Sequence, residues 1–268
     1  MKRTVFLNVV AAAWLFSACS NPGKSNPNYI RVGITPGVEQ EIAEAARKVA
    51  REQYDLEVEL IAFNDYVIPN EALNNGEIDV NAFQHVPYLE TQVRQRGYRL
   101  AVVGNTFLYP IVAYSKKIKN ITELEDGSTV AIPNDPTNGG RALLLLQQNG
   151  LLQLKSGVGL LPKVTDIINN PKQLKILEIE APQLPRVLDD EAVSMAVINN
   201  NFAAQAGLNP DESGILKEDK ASPYVNVIVA RADNKDEEKV RNFVKAYQSE
   251  AVEKVAAKVL KGGAVKGW

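Results

Sequence analysis

Residues 130–148 read VAIPNDPTNGGRALLLLQQ and contain a complete strand–loop–helix unit. The apolar residues 130–132 predict a short buried strand, and the polar residues 133–140, which end in two glycines, predict a loop. Residues 141–148 are strongly apolar and predict a helix. Because a strand followed by a helix is the repeating unit of parallel sheets, this segment favours an α/β fold.

Strands and helices alternate in the same way on both sides of this unit. Further strands are predicted at residues 30–34, 193–198 and 224–230, and further helices at 38–49 and from about residue 236 onwards. The sequence has no internal repeat, charge block or long linker, so two lobes that share connecting strands fit better than separate domains. We therefore expect two lobes, each a largely parallel sheet flanked by helices. Lobe 1 would comprise residues 29–114 and 222–268, and lobe 2 the inserted residues 115–221.

The composition argues against several classes of function. The chain has 268 residues, with 30 Lys and Arg against 32 Asp and Glu and a net charge of -2. This balance argues against nucleic acid, which is bound through clustered cations. His85 and Cys19 are the single histidine and cysteine of the sequence, so it offers no pair for a zinc site or an internal disulfide. No serine or carboxylate pair stands in a catalytic context, and we expect neither an enzyme nor a metal or cofactor.

The N-terminus resembles a bacterial lipoprotein signal. Two basic residues precede an apolar run at residues 5–16, which is too short for a transmembrane helix of about 20 residues. Small residues then lead to Cys19 as in a lipobox, although Phe16 stands where leucine is usual. We expect residues 1–18 to be a cleaved signal peptide, Cys19 to carry a lipid anchor in the cell envelope, facing the periplasm or exterior, and residues 19–28 to be a flexible tether. The alternative is a plain secreted protein whose cysteine is incidental.

An aromatic segment lies at the end of a strand predicted at residues 78–83, where α/β folds place ligand sites. Residues 81–88 read NAFQHVPY and contain Phe83, His85 and Tyr88. Tyr66 lies in the loop that follows the strand predicted at residues 56–63. Aromatic side chains in such loops either contact a ligand or belong to the core, and the pattern leaves both alternatives open.

Two polar segments follow other strands. Residues 133–141 end in Arg141 at the predicted helix start, where unpaired N–H groups and a guanidinium fork suit an anion. Phosphate would also suit this loop, but the sequence has no P-loop pattern, and a capped helix with a solvated arginine is the alternative. Asn199 begins a run of three asparagines after an apolar strand, and Asn226 lies inside a strand. Asparagine is a poor strand former, so Asn226 is expected to face solvent or to bind a ligand.

Together these segments resemble the NlpA lipoprotein family. The resemblance is carried by FNDY at residues 63–66, PNEAL at 69–73, NAFQH at 81–85, VGNTF at 103–107, VAIPNDPTN at 130–138 and GGAVKGW at 262–268. It implies a two-lobed periplasmic-binding-protein fold of the type II kind. It also implies a lipoprotein that captures methionine, L- and possibly D-, for an ABC importer, with the permease and its ATPase subunit as partners.

The resemblance further implies a role for each candidate site residue. The thioether of methionine would contact an aromatic wall formed by Tyr66, Phe83, His85 and Tyr88, since sulfur packs favourably on aromatic rings. Arg141 would grip the carboxylate, which must be paired when buried, and Asn199 and Asn226 would bind the amino-acid backbone. Alternatives are another small amino acid, a methionine-containing dipeptide, an enzyme on a similar fold, or an adhesin with a vestigial pocket.

Overall fold

The structure is a computed structural model that describes residues 26–260 and 265–268. The predicted signal peptide, Cys19 and most of the predicted tether lie outside the described residues. Within the described part of the chain, every helix is too short or too polar to cross a membrane.

The first lobe is built on a six-stranded sheet, with strand order β13-β4-β12-β3-β1-β2. Its strands are β1 Tyr29–Ile34, β2 Glu57–Ala62, β3 Val80–His85, β4 Leu100–Leu108, β12 Val225–Arg231 and β13 Val265–Lys266. Five helices accompany them: α1 Val38–Tyr54, α2 Ile68–Asn74, α3 Val86–Arg96, α7 Glu238–Tyr247 and α8 Glu250–Val259. The prediction of a single C-terminal helix is wrong. Helix α7 ends at Gln248, and a second helix, α8, begins after its N-cap residue Ser249.

The second lobe is built on a five-stranded sheet, with strand order β11-β5-β10-β6-β9. Its strands are β5 Val112–Tyr114, β6 Thr129–Pro133, β9 Lys175–Ile179, β10 Val193–Ile198 and β11 Gly214–Lys217, and a separate hairpin pairs β7 Gln153–Leu154 with β8 Ile167–Asn169. The helices are α4 Pro136–Gln148, α5 Asn200–Gln205 and α6 Pro210–Ser213. Two sheets with flanking helices confirm the predicted two-lobed α/β fold.

The two strands next to the crossovers between the lobes, β5 and β12, are the main exceptions to the parallel strand order. In the first sheet β12, which returns from the second lobe, is antiparallel to both β3 and β4. In the second sheet β5, which arrives from the first lobe, is antiparallel to both β10 and β11. A chain that crosses between the lobes enters each sheet at the carboxyl edge of the other strands, so it must run against them. The carboxyl ends of β1, β3, β6 and β10 therefore face the space between the lobes.

The pairing of β5 also bears on the predicted lobe boundary at residue 114. Because Val112–Tyr114 pairs in the second sheet, the first crossover lies between Leu108 and Val112, and residues 112–114 belong with lobe 2. The second crossover follows Lys217 and ends at β12. The sequence-based boundary assigns these residues to lobe 1, because an apolar run does not show which sheet it joins.

Helix α4 begins five residues earlier than the sequence predicts. Its N-cap is Asp135, whose carboxylate accepts hydrogen bonds from the backbone N–H groups of Thr137 and Asn138. Pro136 occupies the first helical position, where its missing N–H costs nothing. The predicted loop at residues 133–140 is thus mostly the first turn of the helix, and this turn carries Arg141 into the space between the lobes.

A buried ionic cluster ties helix α7 to the first sheet. Asp79, just before β3, accepts hydrogen bonds from the backbone N–H of Arg31 at 2.8 Å and from Nζ of Lys239 at 3.2 Å. The side chains of Asp79 and Lys239 are 5% and 8% exposed. Two opposite charges at this depth compensate each other, whereas either alone would be unfavourable.

We expect Asp79→Asn to lower the free energy of unfolding by about 3 kcal/mol, because it leaves the buried Lys239 cation with only the half-exposed Glu237 carboxylate, 3.5 Å away. Denaturant unfolding measures the loss. The control is Asp233→Asn, which removes a carboxylate that is 77% exposed and pairs with Arg231. This control should shift stability by less than about 1 kcal/mol. Equal losses in the two variants would contradict a special role for the buried cluster.

Candidate functional site

A cavity between the lobes contains all seven residues that the sequence singles out. The cavity has a volume of about 30 Å³. The predicted residues that line it are Tyr66, Phe83, His85, Tyr88, Arg141, Asn199 and Asn226. The sequence interpretation missed six others, namely Glu39, Gln84, Tyr109, Asn138, Asn200 and Asn201.

Aromatic rings from the first lobe form one wall of the cavity. Phe83 on β3 and Tyr88 in the first turn of α3 lie edge to face with ring centroids 6.2 Å apart. Tyr66 contacts both, at 5.9 Å from Phe83 and 6.0 Å from Tyr88, and its backbone carbonyl accepts a hydrogen bond from the Tyr88 hydroxyl. Phe202 of the second lobe packs on Tyr66 at 4.9 Å. The rings thus provide a rigid, polarizable surface that suits an apolar or sulfur-containing group.

The guanidinium of Arg141 is buried and largely occupied by protein groups. Its Nε donates to Oε1 of Glu218 at 2.8 Å, and its Nη2 donates to Oε2 of Glu218 and to the carbonyl of Tyr109. The Tyr224 ring lies 4.5 Å from Cζ. The sequence-based expectation that Arg141 offers a ligand its two-pronged fork therefore needs correction, since Glu218 already takes that fork. Nη1 remains, and the described residues provide no acceptor for it.

His85 connects the two lobes through Asn138. Its Nδ1 accepts the backbone N–H of Tyr88, and its Nε2 lies 3.3 Å from Oδ1 of Asn138 on α4. Burial, with help from the charge of Arg141, lowers the pKa of His85 to about 3, so the ring is neutral and Nε2–H is the donor. Oδ1 of Asn138 also accepts Nδ2 of Asn199 at 2.8 Å, which leaves Oδ1 of Asn199 buried without a partner among the described residues.

Asn226 is buried near the start of β12 and pairs with an acid that the sequence interpretation missed. Its Nδ2 donates to Oε1 of Glu39 at 2.9 Å, while Oε2 of Glu39 is hydrogen-bonded to the Thr35 hydroxyl. Burial raises the pKa of Glu39 well above its ordinary value, and the Asn226 hydrogen bond lowers it less. Burial therefore favours the neutral, protonated form of Glu39, and Oδ1 of Asn226 has no partner among the described residues.

The sequence pattern could have identified Glu39 as a site residue, whereas no local pattern identifies Glu218. The buried stripe of α1 contains Ile42, Ala43 and Ala46, and Glu39 stands on the same stripe one turn earlier. A carboxylate on the apolar face of a helix, just after a strand, marks a candidate site residue. Glu218 is 77 residues from Arg141, and nothing in the local pattern connects the two.

The polar atoms without protein partners define what the cavity can bind. Donors remain at Nη1 of Arg141 and Nδ2 of Asn201, whose Oδ1 accepts the Tyr66 hydroxyl at 2.5 Å across the lobes. Acceptors remain at Oδ1 of Asn199 and Oδ1 of Asn226. Unpartnered buried donors and acceptors beside an aromatic wall suit a small molecule with an anionic group, a cationic group and an apolar side chain. Among residues 26–260 and 265–268, no cluster of His, Cys, Asp and Glu could hold a metal ion.

Comparison with known proteins gives consistent matches. The family model described as NlpA lipoprotein matches residues 30–268. The D-methionine-binding lipoprotein MetQ of Escherichia coli strain K12 is 62% identical over 245 residues, which cover 91% of this chain and 90% of the relative. A nutrient binding protein from Burkholderia cenocepacia bound to methionine is 48% identical with a TM-score of 0.86, over 89% of this chain and 100% of that one. An ABC transporter, periplasmic substrate-binding protein from Coxiella burnetii is 44% identical with a TM-score of 0.85, over 89% and 100%.

We expect Glu39→Gln to stabilise the ligand-free protein increasingly as pH rises. Because the folded pKa of Glu39 is raised, its stabilising contribution is present below its unfolded pKa and is lost as pH rises. Glutamine keeps the shape but does not titrate, so the difference in unfolding free energy between variant and wild type should grow by up to about 1.4 kcal/mol per pH unit above pH ~5. Urea unfolding from pH 5 to 8 measures it. Glu41→Gln, exposed in the same helical turn, is the control; a pH-independent difference for Glu39→Gln would refute the neutral carboxyl.

Proposed function

This chain belongs to the NlpA lipoprotein family, and we propose that it is the substrate-binding lipoprotein of an ABC importer that captures methionine and delivers it to the membrane permease. The observation that carries the proposal is the pairing of an aromatic wall with unpartnered donors and acceptors in one cavity. Two relatives support the ligand, since one is named D-methionine-binding and the other is described as bound to methionine.

The geometry supports a specific placement of methionine. The carboxylate accepts a hydrogen bond from Nη1 of Arg141, because a buried anion needs a charged partner. The ammonium donates to Oδ1 of Asn199 and Oδ1 of Asn226, which are two acceptors without partners among the described residues. The thioether then lies against Phe83 and its neighbouring rings, where sulfur–aromatic contacts are favourable. Every group of the ligand finds a complementary group in this placement.

The proposed partners follow from the type of protein. A related protein of known structure is described as the periplasmic substrate-binding protein of an ABC transporter, and we infer an ABC permease with its ATPase subunit as the partners of this chain. Bonds such as Tyr66 to Asn201 and His85 to Asn138 join the lobes around the cavity. If the lobes move apart and these hydrogen bonds break, the cavity opens and the ligand is released.

Calorimetry on protein that has been unfolded and refolded to remove bound ligand tests this function. We expect wild type to bind methionine at micromolar or lower concentrations, and Asn226→Ala and Arg141→Ala to weaken binding by roughly 2 kcal/mol or more, since each leaves a polar or charged ligand group unpaired. Asn149→Ala, exposed at the far end of α4, is the control and should bind like wild type. No binding of either enantiomer by wild type would refute the function, and unchanged affinity in both variants would refute the assigned roles.

We also propose that Cys19 carries the lipid anchor, as the family and the lipobox-like N-terminus suggest. We expect Cys19→Ser to be recovered in the soluble fraction of the envelope, while wild type sediments with membranes, because acyl chains provide stable anchoring. Fractionation and intact mass measure the effect. A wild-type mass without acyl groups would rule out the anchor.

A further inference from the structure

Glu218 lies in the crossover between β11 and β12 and joins three parts of the molecule. Both of its carboxylate oxygens accept from Arg141 on α4. Oε2 also accepts the backbone N–H of Ile111, and the backbone N–H of Glu218 donates to the carbonyl of Ile111 in the other crossover. Oε1 accepts the hydroxyl of Ser222 at 2.9 Å. With all these bonds and a side chain only 8% exposed, Glu218 is held in one position.

This position determines which edge of Arg141 faces a ligand. The side chain of Arg141 is 3% exposed, and its Nε and Nη2 are held by Glu218 and by the Tyr109 carbonyl. The Tyr224 ring covers the face of the guanidinium. Only Nη1 remains for the ligand, so a ligand carboxylate is bound by one nitrogen rather than by the two-pronged fork. A freely rotating arginine would present either edge.

The ion pair between Arg141 and Glu218 also affects the net charge of the site. Arg141 contributes one positive charge and Glu218 one negative charge, while His85 and Glu39 are neutral because burial lowers the pKa of the first and raises the pKa of the second. The carboxylate of Asp135 is engaged by the N–H groups at the start of α4 and by Asn138. The charges of Arg141 and Glu218 therefore sum to zero beside the cavity, and Asp135 does not line it. A zwitterion keeps the sum at zero, whereas an anion leaves one uncompensated negative charge in a buried space, which is unfavourable.

We propose that Glu218 is a specificity-determining positioning residue, which orients Arg141 through its Nε–Nη2 edge and cancels its charge so that the site accepts net-neutral amino acids and rejects the corresponding anions. The inference rests on the proposed function, because it concerns the same cavity and ligand. It goes further in stating why the ammonium group is required. Glu218 acts through Arg141 and does not itself contact the ligand.

Two ligands test the proposal by calorimetry on refolded protein: L-methionine and its α-hydroxy acid analogue, which keeps the thioether and carboxylate but replaces the ammonium by a hydroxyl. Wild type should prefer methionine strongly. In Glu218→Gln the site gains a net positive charge, so we expect the analogue to bind more tightly than to wild type and the preference for methionine to fall by about tenfold or more. Asp219→Asn removes the same charge from the next residue, which is exposed, and should leave the preference unchanged.

The outcomes separate this inference from the proposed function. Failure of wild type to bind methionine would refute the function itself. Methionine binding by wild type, with both ligands weakened equally in Glu218→Gln, would show a merely structural role and overturn the inference alone. Circular dichroism checks folding, and Glu218→Asp provides the test if Glu218→Gln does not fold. The shorter side chain keeps the charge, so methionine should bind more weakly while the analogue is still rejected; loss of that rejection would overturn the proposal.

Discussion

The buried ion pair between Arg141 and Glu218 connects the second lobe to both crossovers. Arg141 comes from α4, Glu218 from the second crossover, and their further partners Tyr109 and Ile111 from the first. A guanidinium at this depth is tolerated only with a charged partner and good hydrogen bonds, because desolvation of an unpaired charge costs several kcal/mol. The pair thus places the helix, the crossovers and the cavity in one fixed relation. The remaining site geometry is arranged around it.

Around this pair the cavity satisfies most, but not all, of its polar groups. His85 and Asn199 share Oδ1 of Asn138, and Glu39 occupies the amide donor of Asn226. Each such bond orients a side chain and leaves one atom of an amide pointing to the space between the lobes. Buried polar atoms without hydrogen-bond partners are unfavourable. That unfavourable state is relieved by a ligand with complementary groups, which is how a preformed site combines orientation with affinity.

The direction of the strands explains why site residues could be found in the sequence at all. Phe83, His85 and Asn199 follow or end strands whose carboxyl edges converge between the lobes. An apolar strand followed by polar or aromatic residues can be recognised in the sequence. The carboxyl ends of such strands converge in α/β folds in general. Asn226 was visible for another reason, since it is a poor strand former near the start of a buried strand. The assignment of β5 to a lobe was not visible, because pairing partners are not encoded in a short apolar run.

The sequence by itself determined the alternation of strands and helices, the residue types available to the site and the segments that carry them, because periodicity and strand ends are local properties. Only the tertiary structure decided how those side chains are used. It paired Arg141 with Glu218 across 77 residues and Tyr66 with Asn201 across 135. It also made Glu39 and His85 neutral by burying them. Hydrogen-bond partners and protonation states depend on which distant groups the packing brings within a few ångströms, and no local pattern specifies that.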